Sequence, residues 1–316
     1  MLMTPPIVHV AMATYNGQPW IGRQVATVLD QDGVEVRLVI SDDGSTDGTR
    51  DWTRALAQRD PRVVVLPERD GEAGVAANFL HALTHLDVRP GEYAAFCDQD
   101  DLWQPHKLIE QIHFMDEAGA HAVSSNVTAF TVGADGEVSR TLIRKDQPQV
   151  EWDFLFEAPG AGSTYVFDYE AWKILVDYLD AWGAEGVAVH DWFVYAVLRG
   201  AGMSWVIDPR PHVAYRQHER NVAGAHKGLQ ATVNRWQLLR SGHYRRQFLL
   251  MAEVANRAAH AAGRDEGFLR GLTEWKAWLS DTSWRGRVAV ARNARGMRRR
   301  PIEQVKLAAS CLLGVW

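Results

Sequence analysis

Hydrophobic and polar positions in the first 125 residues repeat with two alternating periods. Short apolar or alternating runs predict strands over 7–13, 34–40, 63–66 and 93–97. Each run is followed by apolar residues spaced three or four apart, as on one face of a helix, beginning with Ile21, Val25 and Val28. Because right-handed crossovers return each helix to the same sheet, these repeated units predict an α/β fold with a mainly parallel sheet flanked by helices.

Polar clusters fall at the carboxyl ends of three predicted strands. They are Thr14–Asn16, Ser41–Asp47 and Asp98–Asp101. In parallel sheets, ligands bind in the crevice beyond these strand ends. We therefore expect the three clusters to meet around one ligand.

Composition narrows the class of protein. The 316 residues are 47% hydrophobic and 23% charged, which is typical of a globular chain, and a formal net charge of -5 argues against general nucleic-acid binding. The two cysteines, Cys97 and Cys311, lack the spacing of a disulfide framework or a zinc site, so a reducing cytosol fits best. We find neither the pattern of a signal peptide nor the roughly 20 apolar residues that cross a bilayer. The expectation is a protein that is soluble or peripherally attached to a membrane.

The pattern changes beyond residue 125. A Gly-rich segment at 160–163 precedes a strand-like run at 164–167 and a further helix, and helical signals dominate from about residue 227 onward. Between Asp281 and Glu303 no acidic residue occurs, and arginines accumulate at Arg285, Arg287, Arg292, Arg295, Arg298, Arg299 and Arg300. Together with the apolar run 307–316 they predict contact with an anionic membrane surface; the alternatives are a solvated helix face and a dimer contact.

The acidic turn at 98–101 is a candidate metal site. Three carboxylates, Asp98, Asp100 and Asp101, stand within four residues at a strand end, where their mutual repulsion is costly unless a cation neutralises it. Oxygen ligands and open coordination positions suit Mg²⁺ or Mn²⁺ shared with a substrate diphosphate. The alternative is a solvated turn whose carboxylates cap the next helix.

Three further clusters could carry chemistry, and most have a plainer alternative. Asp42 or Asp43 can accept hydrogen bonds from a nucleobase or a ribose, although the loop also has the composition of an ordinary turn. Asp191 opens an apolar helical stretch, where it would serve as a general base or as a helix cap. Arg216 can bind phosphate oxygens, and His218 can bind an ion such as Mn²⁺. The chain has no GxGxxG after the first strand and no GxxxxGK[ST], which argues against dinucleotide-binding and P-loop chemistry.

Taken in order, the motifs resemble those of the family 2 glycosyltransferases. They are Thr14–Gly17, Ser41–Asp47, Asn78, Asp98–Asp101 with Trp103 and Lys107, Gly162–Thr164, and His190–Trp192. The resemblance covers about residues 7 to 225. The segments CDQDDLW and YRQH look most like those of the rhamnosyltransferase-like branch, whose members build bacterial surface polysaccharides.

The resemblance implies a fold and a division of the chain. The fold is GT-A, a Rossmann-like and mainly parallel sheet flanked by helices, with a C-terminal helical extension. The catalytic domain is expected over 1–225, with a nucleotide-sugar-binding half at 1–125 and an acceptor-side half at 126–225. A helical, Arg-rich region is expected at 226–316.

The resemblance also implies roles for individual residues. Asp191 is the expected acceptor-activating base, although His190 stands before it where many relatives carry an acidic residue. The expected ligands of a Mg²⁺ or Mn²⁺ ion are Asp100, Asp98 and His218. The residues expected to bind the donor nucleotide are Thr14, Tyr15, Asn16, Asp42, Asp43, Asn78 and Asp98. Those expected in the donor and acceptor pocket are Asp101, Trp103, Lys107, Gly162, Ser163, His190, Trp192 and Arg216.

The function implied by the resemblance is an inverting, metal-dependent transfer of a sugar in surface polysaccharide biosynthesis. Rhamnose from dTDP-rhamnose is the expected donor sugar, and a lipid-linked glycan at the inner face of the cytoplasmic membrane is the expected acceptor. The alternatives are a UDP-hexose donor and a catalytically silent subunit that binds nucleotide sugars or glycans. Processive relatives carry a QxxRW segment, whereas here Thr232 precedes Arg235 and Trp236. We therefore expect addition of one or a few sugars.

Overall fold

The computed structural model describes residues 4–71, 73–133, 136–218 and 241–315, which contain a mixed sheet with flanking helices. The strands are β1 (Ile7–Thr14), β2 (Glu35–Asp42), β3 (Val63–Val65), β4 (Tyr93–Cys97), β5 (Leu102–Trp103), β6 (Ala122–Val132), β7 (Val138–Ile143), β8 (Val166–Asp168) and β9 (Trp205–Arg216). The helices are α1 (Ile21–Leu29), α2 (Thr49–Ala57), α3 (Val75–Thr84), α4 (Lys107–Glu117), α5 (Tyr169–Trp182), α6 (His190–Ala201), α7 (His243–Ala261), α8 (Glu266–Ser280), α9 (Trp284–Arg292) and α10 (Pro301–Leu313).

The sheet is parallel where the sequence pattern is regular and mixed elsewhere. Its strands follow the order β3-β2-β1-β4-β8-β6-β9-β5, and β7 pairs with β6 outside this path. Strands β3, β2, β1 and β4 are parallel, as predicted from the repeated units. By contrast, β8 runs antiparallel to β4, β7 to β6 and β5 to β9, whereas β6 and β9 are parallel.

Buried apolar runs explain the central strands. In β1, Val8, Val10, Ala11 and Met12 are all fully buried, so both faces of the strand are covered. Strands buried on both faces need continuous apolar residues, which is the pattern that predicted them. Burying each such valine or methionine contributes about 1.5–3 kcal/mol before the entropy cost of folding.

Two short elements differ from the expectation. The strand-like run at 164–167 contains the end of a 3₁₀ turn, Gly162–Thr164, followed by β8 at Val166–Asp168. Strand β5 has two residues, and its pairing with β9 is antiparallel. Two residues are too few to give a readable period, so the sequence pattern missed this strand.

The described chain divides into two compact units. The first comprises the residues up to Asp146, then 160–191 and 203–217; the second comprises 147–159, 192–202 and the described residues from 218 onward. The expected boundary between 225 and 226 lies outside the described residues, as do Thr232, Arg235 and Trp236. In this division the segments 147–159 and 192–202 group with the described C-terminal helices, and the expected domain bounds stay a prediction.

An ion network explains why these segments join the second unit. Tyr195 donates a hydrogen bond to Asp153 at 3.0 Å, and the backbone N–H of Arg299 donates to Glu157 at 2.7 Å. The Arg299 guanidinium lies 3.4 Å from Glu157 and has no exposed side-chain surface. Arg299 is therefore part of the interior and not of the basic surface that the sequence predicted.

Helix α10 carries an exposed apolar face within the second unit. Its exposed members are Ile302, Val305, Leu312 and Leu313, at 57 to 76% relative exposure. None of the described helices is both long enough and apolar enough to span a bilayer.

Candidate functional site

The predicted ligand-binding edge lies where β1, β2 and β4 end. Thr14 pairs with Asp42 in the β1–β2 register, and Met12 pairs with Cys97 in the β1–β4 register. The loops that follow these strands therefore leave the sheet at nearly the same level. The three polar clusters begin together, as expected for a parallel sheet.

A side-chain clamp joins the loops after β1 and β4. The backbone N–H of Tyr15 donates to Gln99 Oε1 at 2.9 Å, and Gln99 Nε2 donates to the Tyr15 carbonyl at 2.9 Å. This fixes the backbone of Tyr15 while its side chain stays exposed, at 54%. Sequence reasoning missed Gln99, whose one signal was its place between two candidate aspartates.

The side chain of Asn16 holds the loop that follows β2. Its Oδ1 accepts a hydrogen bond from the Thr46 N–H at 2.8 Å, and its own N–H donates to Ser45 Oγ at 2.8 Å. Asn16 has a φ of 49°, a left-handed conformation that asparagine tolerates better than most residues. Asn16 therefore stabilises the conformation of the loop that follows β2.

The carboxylate of Asp42 accepts hydrogen bonds that stabilise the same loop. Its Oδ2 accepts hydrogen bonds from Ser45 Oγ at 2.6 Å and Thr14 Oγ1 at 2.8 Å, and its Oδ1 accepts one from the Ser45 N–H at 2.8 Å. Arg50 Nε lies 3.3 Å from Oδ1, and the residue is 5% exposed. The carboxylate and the Thr14 hydroxyl, both predicted to meet the donor nucleotide, hold the loop in place.

Asp43 and Asn78 connect the same edge to the start of α3. Asp43 forms an ion pair with Arg69 at 2.9 Å and accepts a hydrogen bond from the Gly74 N–H at 2.6 Å. Asn78 is buried and donates to the Thr14 carbonyl at 3.1 Å. Of the predicted donor-side residues, Tyr15 is thus the one that presents a mostly exposed side chain.

Asp101 anchors the acidic turn internally. It is 1% exposed, and its two oxygens accept hydrogen bonds from Ser163 Oγ at 2.9 Å and from the Arg216 N–H at 3.0 Å. Burial, followed by the charges of Asp98 and Asp100, raises the pKa of Asp101. In the structure Asp101 and Ser163 are a buried support for the turn, and their expected place in the donor and acceptor pocket stays a prediction.

Asp98, Asp100 and Asp191 form the electrostatic centre of the site. Burial, and then the negative charges of Asp100 and Asp191, raise the pKa of Asp98 to about 7, against a lowering hydrogen bond from Ser163. Like charges shift a pKa in this way when the carboxylates lie near one another. The first residues of α6 therefore bring the predicted base Asp191 to the acidic turn.

Tyr215 is a second residue that the sequence reasoning missed. Burial, and then the charges of Asp98, Asp101, Asp100 and Asp191, raise the pKa of its hydroxyl. Because the charges of all four carboxylates act on this one hydroxyl, the carboxylates lie near one another. Its signal was its place directly before Arg216 in the YRQH segment.

A divalent cation fits the half-buried part of this acidic centre, which consists of Asp98 and Asp100. Asp98 and Asp100 offer hard oxygen ligands, and the repulsion that raises the pKa of Asp98 is what a cation would relieve. Asp101 does not fit, because both of its oxygens already accept hydrogen bonds. Within the described ranges no three His, Cys, Asp or Glu side chains are grouped as metal ligands. His218 belongs to the second unit, and its role as a ligand stays a prediction.

The residue before Asp191 is a buried, uncharged histidine. The His190 ring stacks on Phe79 with centroids 3.9 Å apart and meets the edge of Phe96 at 5.2 Å. Burial lowers its pKa to about 3, so the imidazole is neutral at physiological pH and cannot neutralise Asp191. A Cβ added to Gly162 would clash with His190 Nε2. Gly162 therefore makes room for His190, and its expected place in the donor and acceptor pocket stays a prediction.

Trp103, Lys107 and Trp192 are interior residues. Lys107 is fully buried, and its Nζ lies 3.9 Å from the Trp103 ring centroid, with no hydrogen-bond partner among the described residues. Burial lowers its pKa to about 7. Trp192 donates its Nε1–H to the Phe154 carbonyl at 2.9 Å. The polar ends of these side chains face the protein interior in the structure, and their expected place in the donor and acceptor pocket stays a prediction.

Comparison with known proteins agrees with this architecture. The family model described as Glycosyl transferase family 2 matches residues 9–176. The dTDP-rhamnosyl transferase RfbG of Shigella flexneri is 34% identical over 253 residues, covering 78% of this chain and 84% of that protein. The Escherichia coli UDP-Glc:alpha-D-GlcNAc-diphosphoundecaprenol beta-1,3-glucosyltransferase WfaP is 34% identical over 112 residues, covering 35% of this chain and 41% of that protein.

Solved structures support the expected fold. The crystal structure of S. aureus TarS 1-349 in complex with UDP-GlcNAc aligns with a TM-score of 0.53 at 13% identity, covering 98% of this chain and 89% of that chain. At this identity the likeness shows the fold alone, which is the GT-A fold expected from the motifs. With the family model and the Shigella relative in agreement, the chain is a glycosyltransferase and belongs to glycosyl transferase family 2.

Proposed function

We propose that this glycosyltransferase moves rhamnose from dTDP-rhamnose onto a lipid-linked glycan, by a single inverting displacement. The observation that carries the proposal is the approach of Asp191 to Asp98 and Asp100. The dTDP-rhamnosyl transferase name of the Shigella relative supports the donor, and the diphosphoundecaprenol in the name of the E. coli relative supports a lipid-linked acceptor.

In the proposed reaction Asp191 takes the proton from an acceptor hydroxyl. The hydroxyl oxygen attacks the anomeric carbon as the bond to the diphosphate breaks on the opposite side, which inverts the configuration. A Mg²⁺ or Mn²⁺ ion held by Asp98 and Asp100 would neutralise the charge on the leaving diphosphate. His190 is neutral, so it places no positive charge beside Asp191.

On the donor side, Tyr15 is the residue best placed to meet the nucleobase. Its side chain is 54% exposed, and the Gln99 clamp fixes its backbone. An aromatic face of this kind stacks on either thymine or uracil, since every base has a π-face. A UDP-hexose donor, which the name of the E. coli relative suggests, is therefore the second candidate.

The decisive experiment combines Asp191→Asn with a donor panel. Thermal shift with dTDP-rhamnose and UDP-hexoses, in the presence of Mn²⁺, identifies the donor by stabilisation. Asp191→Asn is expected to reduce transfer at least 100-fold while donor binding persists, because the variant keeps the shape of the side chain but cannot accept the proton. Asp51→Asn, an exposed position on α2, is the matched control and should change neither.

The outcomes separate the candidate functions. Stabilisation by UDP-hexoses but by no thymidine nucleotide would replace dTDP-rhamnose by the second donor class. Donor binding without transfer or hydrolysis by the wild-type protein would favour a silent binding subunit. Transfer that is unchanged in Asp191→Asn would remove Asp191 from the mechanism.

We further propose that the protein works at the inner face of the cytoplasmic membrane, through the exposed face of α10. Ile302, Val305, Leu312 and Leu313 are exposed apolar residues in a segment with nearby arginines, which suits an anionic interface. Leu312→Glu with Leu313→Glu should reduce flotation with phosphatidylglycerol vesicles and leave donor hydrolysis unchanged. If the wild-type protein instead forms a concentration-dependent dimer and the same variant is a monomer, α10 is a contact between two copies.

A further inference from the structure

An arginine-lined cavity opens beside the acidic turn, on one face of strands β5, β9, β6 and β7. Phe130 of β6 lies directly opposite Arg216 of β9 and directly opposite Arg140 of β7. Residues paired across neighbouring strands project from the same face of a sheet. The register therefore sets two guanidinium groups on either side of one aromatic ring.

The cavity has a volume of about 200 Å³. Its lining consists of Arg23, Leu102, Phe130, Val132, Val138, Arg140, Ala214 and Arg216. Complete small-molecule sites usually measure about 300–1,000 Å³, so this volume suits a headgroup and not a whole nucleotide sugar.

The charges around the cavity favour an anion. Arg23 and Arg140 are both exposed. Arg216 lies over the Phe130 ring, 4.6 Å from its centroid, and donates its Nε–H to the Asp100 carbonyl at 2.8 Å. Guanidinium groups that share one volume in this way are suited to bidentate contacts with phosphate oxygens.

The rim of the cavity is aliphatic. Val132 and Val138, which pair across β6 and β7, are 56% and 44% exposed, and Leu142 on the same strand face is 50% exposed. Exposed apolar residues next to arginines match a ligand with an anionic head and a hydrocarbon tail. An inorganic phosphate or a free nucleotide would leave this rim unused.

We propose that this cavity binds the diphosphate and the first hydrocarbon units of a lipid diphosphate that carries the acceptor glycan. The inference rests on the proposed function, because it names the part of the acceptor that the transferase would hold. Arg216 links the two sites, since its N–H donates to Asp101 and its Nε–H to the Asp100 carbonyl. Arg216 would then hold the lipid end of the acceptor beside the acidic turn at 98–101. Asp191, which lies near this turn, would act on the glycan end.

The test uses farnesyl diphosphate as a soluble probe of the full-length protein. Calorimetric titration should show that farnesyl diphosphate binds more tightly than inorganic diphosphate or farnesol, and that Arg140→Gln and Arg23→Gln each weaken its binding about tenfold. Arg89→Gln is the matched control, because Arg89 is an exposed arginine paired with Asp87 away from this face. Unchanged Tm values would show that the variants fold.

Three results would overturn the lipid-diphosphate site. The first is equal affinity for farnesyl diphosphate and inorganic diphosphate, and the second is an unchanged farnesyl diphosphate affinity in both arginine variants. The third is a protein that needs these arginines to bind phosphatidylglycerol vesicles but does not bind farnesyl diphosphate. The last result would assign the face to bulk anionic lipid.

Measuring donor binding in the same samples separates this inference from the proposed function. If the wild-type protein transfers a sugar but its farnesyl diphosphate affinity does not depend on Arg23 or Arg140, the site is wrong and the function stands. If farnesyl diphosphate binding depends on both arginines but no nucleotide sugar binds, the proposed function is wrong and the site stands.

Discussion

Gly162→Ala tests whether the packing around His190 positions the predicted base. The added Cβ would lie well under 3.0 Å from His190 Nε2, closer than real Cβ contacts allow. The imidazole cannot simply rotate away, because Phe79 stacks on one side at 3.9 Å and Phe96 meets it at 5.2 Å. The strain must therefore move the start of α6, where Asp191 is the next residue.

The expected losses follow from overpacking and misplacement. Forcing one extra methyl group into a packed interior costs about 1–3 kcal/mol, and each kcal/mol lowers the Tm of a domain of this size by about 2–4 °C. A shift of about 1 Å in a reacting group can reduce a rate about 100-fold. We expect Gly162→Ala to lower Tm by several degrees and kcat by about 10- to 100-fold, with donor affinity nearly unchanged.

The assay pairs thermal unfolding with steady-state transfer kinetics. Gly22→Ala is the matched control, since its Cβ would lie 3.5 Å from a Trp52 ring carbon, an ordinary contact. The double variant Gly162→Ala with His190→Ala removes the clashing ring, so its losses should be smaller than the sum of the two single losses. Wild-type Tm and kcat in Gly162→Ala, or strictly additive losses in the double variant, would refute the reasoning.

Three further predictions concern the buried lysine, the loop clamp and the acidic turn. Lys107→Met should raise the free energy of unfolding at pH 7 by up to about 5 kcal/mol, because burial lowers the lysine pKa from 10.5 to about 7. The unfolded chain binds the extra proton between pH 7 and 10.5, so the gain should shrink as pH rises; urea titrations that give equal gains at pH 7 and 10 would contradict this. Gln99→Leu removes both hydrogen bonds to Tyr15 and should weaken donor binding about tenfold in calorimetry, while an unchanged dissociation constant would show that the clamp is dispensable. Asp101→Ala leaves the Arg216 N–H without its acceptor and should cost about 1–3 kcal/mol of stability, which a wild-type denaturation midpoint would exclude.

The first four strands were predictable because their signal is local. Parallel strands buried on both faces require continuous apolar residues, and β4 occupies the predicted range 93–97. Strand β5 has two residues and is held by its pairing with β9, more than 100 positions along the chain. Such pairing leaves no period in the sequence, so elements of this kind depend on tertiary contacts.

The site was predictable as a set of residues but not as a set of roles. The order of the motifs indicated that Asp191 belongs with Asp98 and Asp100, which interact electrostatically in the structure. The sequence could not distinguish a carboxylate that faces a ligand from one that holds a loop, because both are aspartates at strand ends. In the structure the oxygens of Asp42 and Asp101 accept hydrogen bonds from the protein, and their expected ligand contacts stay predictions.

Helix α3 contacts the predicted donor edge and the residue before the predicted base at consecutive positions. Asn78 donates to the Thr14 carbonyl at the donor edge, and Phe79 stacks on His190 beside the predicted base. If the proposed roles hold, a change in the tilt of this helix is expected to disturb donor binding and transfer together. Evolution of a new sugar preference, or its engineering, is therefore expected to leave α3 intact and to proceed through side chains outside this helix.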